Sequence, residues 1–75
     1  MSSDKEANFN QILGSNIRSL REKQGLSLRR FAAMVDLDYS HLSRIERGFV
    51  DPCFSTVSKI ADGLDVPIYE LFPKS

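Results

Sequence analysis

Between residues 37 and 48 the chain reads LDYSHLSRIERG. Ser40, Ser43, Arg44 and Arg47 stand at i, i+3, i+4 and i+7, which stacks them along one side of a helix. Leu42 and Ile45, three apart, point to the other side. Two hydroxyls and two guanidiniums make a row rich in hydrogen-bond donors, and the arginines keep their charge at any working pH. Water-facing helix surfaces more commonly show Glu and Lys. By spacing alone the row is still an ordinary solvated face, and only its surroundings can give it another use.

Other residues with chemical potential are sparse. His41 is the only histidine and Cys53 the only cysteine. His41 could be a pH sensor or a metal ligand, but no cysteine lies at ligand spacing, and phosphate contact or plain exposure fits its flank position better. Cys53 reads as a small apolar filler rather than a redox switch. No glycine-rich phosphate loop, no nucleophile with a base at recognisable spacing and no supported pair of acids is present. A domain this small offers little room for an enclosed pocket. The expectation is a protein that is not an enzyme and uses no metal or cofactor.

Five helical segments must position the row. The first begins somewhere in residues 4–9 and runs to about Lys23, with Leu13, Ile17 and Leu20 inward and Gly25 closing it. Ser3 with Glu6 and Asn8 with Gln11 both resemble capping boxes, so its start is open. Ser27 caps a second helix reaching about Val35, with Phe31, Ala32 and Val35 inward. Asp38 caps the third, which carries the row. Only Asp36 and Leu37 separate the second and third, so the two must cross steeply, as in a helix-turn-helix. After GFVDP, a fourth helix spans about Phe54 to Gly63, with Phe54, Val57, Ile60, Ala61 and Leu64 inward. Pro67 favours the first turn of a fifth, IYELF. The fold class is all-α, five helices around one core.

Bulk properties agree with one small cytosolic domain. Its 75 residues are 41 % hydrophobic, enough for a core and too many for a disordered chain. A lone thiol suits a reducing compartment. No apolar run approaches the roughly 20 residues of a membrane span, and the N-terminus lacks the apolar segment of a signal peptide. Net charge is zero, whereas nucleic-acid-binding domains are commonly basic. The distribution is uneven: residues 16–47 carry +3, residues 1–15 carry −1 and residues 48–75 carry −2.

The stretches IRSLREKQGLSLRRFAAMVDLDYSHLSRIERG, DP and VSKIADGLDVPIYELF together resemble the Cro/repressor-type helix-turn-helix domain, the XRE family. The match covers about residues 12–72. It implies a compact five-helix lambda-repressor-like bundle over residues 9–73, with the helix-turn-helix at about 27–47 and residues 1–8 as a tail or an extension of helix one. It also implies that the third helix enters the major groove of double-stranded DNA. Tyr39, Ser40, Ser43 and Arg44 would then touch base edges: arginine bonds bidentately to guanine, hydroxyls pair with several edges, and an aromatic ring can meet a thymine methyl. Ser27 and the backbone N–H groups of Leu28 and Arg29 would abut a phosphate at the start of helix two. Arg29, Arg30, His41 and Arg47 would add backbone contacts. Arg21 and Glu46 fall where the family ties helix one to helix three with a buried ion pair.

The implied activity is that of a transcriptional regulator, in the manner of a small repressor, binding its operator as a homodimer. Dimer candidates are Ile68, Leu71 and Phe72, joined by Phe49 and Val50, although the last two could equally fold back over the core. Three positions depart from the family pattern. Leu28 stands where a phosphate-holding Gln is common, Phe49-Val50-Asp51 replaces a loop that often carries Lys or Arg, and Cys53 occupies a cap position usually held by Ser or Thr. The lost phosphate contacts keep two alternatives open: a protein-interaction module of antitoxin type, or a DNA-binding domain cut from a larger regulator.

Overall fold

Among the described residues, each of the four α-helices is followed within two residues by one that leaves right-handed space. Gly25 (φ 73°), Asp36 (φ 56°), Gly48 (φ 76°) and Asp65 (φ 59°) each take the left-handed conformation. At each, two backbone bonds close the helix: around Asp36, Leu37 N donates to Ala32 O at 2.9 Å and Asp36 N to Ala33 O at 3.3 Å. This is the Schellman closure, and aspartate is among the few side chains that tolerate it without glycine. The reversal at Asp36 lets the chain turn from one helix into the next within residues 35–38, rather than the two residues expected, as a helix-turn-helix requires.

The computed structural model describes the backbone of residues 2–73 and the side chains of residues 8–73. Helix α1 spans Ser2–Lys23, α2 Leu28–Met34, α3 Tyr39–Glu46 and α4 Phe54–Leu64, and a single 3₁₀ turn covers Ile68–Leu71. Starts are set by caps. Ser27 Oγ accepts from Arg30 N at 3.1 Å, and Asp38 Oδ2 accepts from Ser40 N at 3.1 Å. Cys53 caps α4 with extended backbone but no side-chain bond. Because α1 is continuous through Asn8, the Asn8–Gln11 pair is not a cap. The Ser3–Glu6 box lies outside the described side chains.

The core is one cluster drawn from all elements: Leu13 and Ile17 of α1, Phe31 and Ala32 of α2, Leu42 and Ile45 of α3, Val57, Ile60, Ala61 and Leu64 of α4, and Leu71. Several details differ from expectation. The fifth helix is only a 3₁₀ turn, since Pro67 stands at its cap and Pro73 forces Phe72 into extended backbone (ψ 149°). The four residues between Pro67 and Phe72 allow a tight turn and no more. Phe54 is 70 % exposed: at the first position of α4 its side chain leans back past the core edge. Cys53 is also exposed, so it fills nothing.

Candidate nucleic-acid interface

Helix α3 is fixed on one side before it can offer the other. Leu42 and Ile45 are buried in the core. Glu46 in the last turn, 8 % exposed, meets Arg21 of α1, 7 % exposed. Arg21 Nε donates to Glu46 Oε2 at 2.7 Å and Nη2 to Oε1 at 3.0 Å, a two-pronged pair. The remaining nitrogen, Nη1, donates to Leu26 O at 2.7 Å. Hydrogen bonding to Glu46, aided by its negative charge, outweighs burial and holds the Arg21 guanidinium above its ordinary pKa. Arginine therefore stays charged there at every working pH.

One further contact sets the depth of α3. A Cβ on Gly14 would meet only backbone: it would lie 2.3 Å from Ile45 O and 2.5 Å from Glu46 O. The α1 backbone thus touches the end of α3 directly, and any side chain at position 14 would push the helix away. Nothing in the local sequence pattern marks this glycine, which sits mid-helix where propensity disfavours it. Two side-chain amides, one in α1 and one just past its end, are likewise invisible to periodicity. Asn16 Nδ2 donates to Leu71 O at 3.0 Å, and Gln24 Nε2 donates to Leu64 O at 2.7 Å. The second satisfies a carbonyl left free at the end of α4.

With that side held, Tyr39, Ser40, Arg44 and Arg47 are exposed, and His41 and Ser43 are half-buried beside them. Among the described residues Arg44 makes no salt bridge and no side-chain hydrogen bond. Arg29 reaches from α2 across to α3, its guanidinium 4.8 Å from the centre of the Tyr39 ring. At the other end, Arg47 lies 4.9 Å from the centre of the Phe49 ring. At the start of α2, Ser27 takes the amide of Arg30, which leaves those of Leu28 and Arg29 as the unpaired donors typical of a helix start. Arg29 and Arg30 are exposed; the Leu28 side chain packs against the core. The arrangement is a donor-rich, acid-poor face bounded by cations at both ends, able to bond anionic oxygens and base edges alike.

Placement of the dimer candidates is mixed. Phe49 is 66 % exposed. Val50, Ile68 and Phe72 are half-buried and pack on the core. Leu71 is fully buried, so it cannot meet a second subunit: the 3₁₀ turn swings it inward and leaves Tyr69 and Glu70 outside. Phe72 also stacks with Phe9 of α1 at 6.0 Å between ring centres. Among the described residues, no group of three or more His, Cys, Asp or Glu could hold a metal ion, and no helix is long and apolar enough to cross a membrane.

The helix-turn-helix family, HTH_3, matches residues 17–71. The chain belongs to this family. Control protein C.MunI of a Mycoplasma species is 40 % identical over 60 residues, covering 79 % of this chain and 81 % of that protein. The HTH-type transcriptional regulator SutR of Escherichia coli K12 is 37 % identical over 60 residues, covering 80 % of this chain and 34 % of that protein. This helix-turn-helix chain therefore spans about a third of the length of one curated relative and most of another. Among solved structures, the restriction-modification controller protein C.AhdI from Aeromonas hydrophila superposes with a TM-score of 0.80 at 34 % identity, covering 83 % of this chain and 94 % of that one. SinR, the master regulator for biofilm formation, solved in complex with DNA, gives 0.76 at 32 % identity, covering 79 % and 95 %.

Proposed function

We propose that this chain is a sequence-specific DNA-binding regulator of transcription, working in the cytoplasm as a homodimer. The observation that carries the reading is α3 itself. Its apolar side and Glu46 are locked to α1 and the core, while Ser40 and Arg44 are exposed, uncovered by any of the described residues. Tyr39, Ser40, Ser43 and Arg44 read base edges, and Arg29, Arg30, His41, Arg47 and the start of α2 at Ser27 and Leu28 hold the sugar–phosphate strands. The likeness to DNA-bound SinR and to two controller proteins supports this assignment. A helix of eight residues spans few base pairs, and two-fold pairing doubles what is read. The second subunit is placed along Ile68 and Phe72.

Selecting bound duplexes from a random pool tests the reading. The expected product is a two-fold-symmetric site. On that site Arg44→Ala relaxes preference at one base position by about 1–3 kcal/mol, whereas Arg47→Ala weakens all sequences alike. A wild-type chain that retains random duplex at low salt no better than these two variants contradicts it. That outcome favours a protein-interaction module, for which exposed Phe49, Phe54 and Tyr69 offer apolar contact.

A further inference from the structure

We propose that the aromatic rings at the two ends of α3 are positioning surfaces for guanidiniums that grip the duplex backbone, Tyr39 holding Arg29 and Phe49 holding Arg47. This rests on the DNA-binding reading, adds how its outer cations are aimed, and gives Tyr39 a positioning role in place of the base contact assigned to it there. The two pairs are separate in sequence and bracket the same helix. Arg29 comes from α2 and meets the first residue of α3; Arg47 caps α3 and meets the second residue beyond it. Both separations, 4.8 and 4.9 Å, lie inside the roughly 6 Å over which a ring face attracts a cation.

Backbone geometry puts Phe49 there. Gly48 takes φ 76° against Gln11 of α1, and Phe49 N donates to Arg44 O at 3.0 Å. The ring is thereby folded back toward α3 rather than into the core, and it stays 66 % exposed. Stacking occupies the flat face of a guanidinium and leaves its rim of N–H donors free for phosphate oxygens. No carboxylate competes for that rim: among the described residues, neither Arg29 nor Arg47 forms a salt bridge. A long side chain loses rotamer freedom when it grips a phosphate, and a ring that already holds it removes part of that loss. Position 49 thus adds no cation of its own. It improves the one beside it.

The test is fluorescence anisotropy of the full chain on its selected duplex over a range of salt, with wild-type, Phe49→Leu, Phe49→Tyr and Arg47→Ala proteins. Phe49→Leu keeps apolar bulk without a π face and weakens binding about two- to five-fold. Its salt slope is unchanged, because no cation is lost. Arg47→Ala lowers the slope by about one. Phe49→Tyr binds as wild type, and Phe49→Leu has no further effect once Arg47 is alanine. Tyr39→Leu, Tyr39→Phe and Arg29→Ala form the matching set. Equal weakening by Phe49→Leu with and without Arg47 overturns the proposal for that end. So does loss of self-association by Phe49→Leu in sedimentation, which would make the ring a subunit contact. For Tyr39, altered preference at one base position in Tyr39→Leu would make it a base reader instead. Proton NMR of the free protein separates failure of the stack from failure of the underlying reading. Stacking moves the Arg29 and Arg47 Hδ signals upfield, and the leucine variants return them. Wild-type binding without that shift refutes the stacks alone; a clear shift with no duplex binding refutes the DNA reading and the proposal with it.

Discussion

Arg21 and Glu46 show how much two side chains can decide in a molecule of this size. Their pair is two-pronged, almost fully buried and joined to Leu26 O, so each guanidinium nitrogen and each carboxylate oxygen has a partner. A 75-residue domain has a total stability of roughly 4–11 kcal/mol. Removing one member strands a charge in the interior at about 3–5 kcal/mol, a large share of that total. Arg21→Met is therefore expected to lower the urea midpoint sharply at an unchanged slope, and Arg21→Met with Glu46→Leu to recover most of it. If the double variant were as weak as the single, the isolated charge would not be the cause. The sign of the pH effect follows from the same pair. Because the Arg21 pKa is raised by folding, its contribution is complete below the ordinary arginine value and fades only in strong alkali. Across neutral pH, titration of Arg21 leaves stability unchanged.

At the scale of elements, the placement of α3 depends on a glycine as much as on its own sequence. Gly14→Ala would drive a methyl into the carbonyls of Ile45 and Glu46, and neither is a flexible chain end that can yield. The expected loss is about 1–3 kcal/mol or more from overpacking, despite the better helix propensity of alanine. Thermal melting checks the loss. Gly25→Ala is the control: at φ 73° it strains backbone only, with nothing within 4 Å of the added carbon. Cys53→Ser works in the opposite direction. The cap backbone is already extended and lacks only an acceptor, so serine adds about 0.5–2 kcal/mol. An unchanged melting temperature would show that α4 is already capped by other means. The pattern of success in reading these elements from sequence has a physical origin. Ser27, Asp38 and Gly25 act on their own few residues, so their composition alone announced where α2, α3 and the first turn stand. Gly14 and Asn16 take their meaning from segments 31 to 55 residues distant. Periodicity along one helix cannot say where another crosses it, which is why the pattern points Phe54 inward and offers Leu71 as a dimer contact, against the exposed Phe54 and buried Leu71 of the structure.

For the molecule as a whole, zero net charge and an uneven surface have to be reconciled with holding a polyanion. The positive stretch, residues 16–47, includes both members of the helix-turn-helix, and the acidic remainder lies outside it. One copy therefore engages few phosphates, and in the proposed homodimer a second copy would add affinity through linkage. An apolar edge is available for it. Phe9 stacks on Phe72, Ile12 is exposed beside them, and an open groove of about 390 Å³ runs between α1 and Pro73. Ile12→Asp places a charge on this edge without touching α3 or the core. If the proposed dimer uses this edge, the expected result is a chain that keeps its helical circular dichroism but self-associates less than the wild type in sedimentation. Its affinity for an isolated half-site should match the wild type, while its advantage on the full site disappears. Half-site centres about 34 Å apart follow from two major-groove helices on one face of the duplex. Inserting five base pairs between the half-sites rotates one of them to the far side, and should reduce wild-type binding to the half-site level. Undiminished binding to that stretched duplex would mean that the two copies are not rigidly paired, and that Ile12 and Phe72 face water for some other reason.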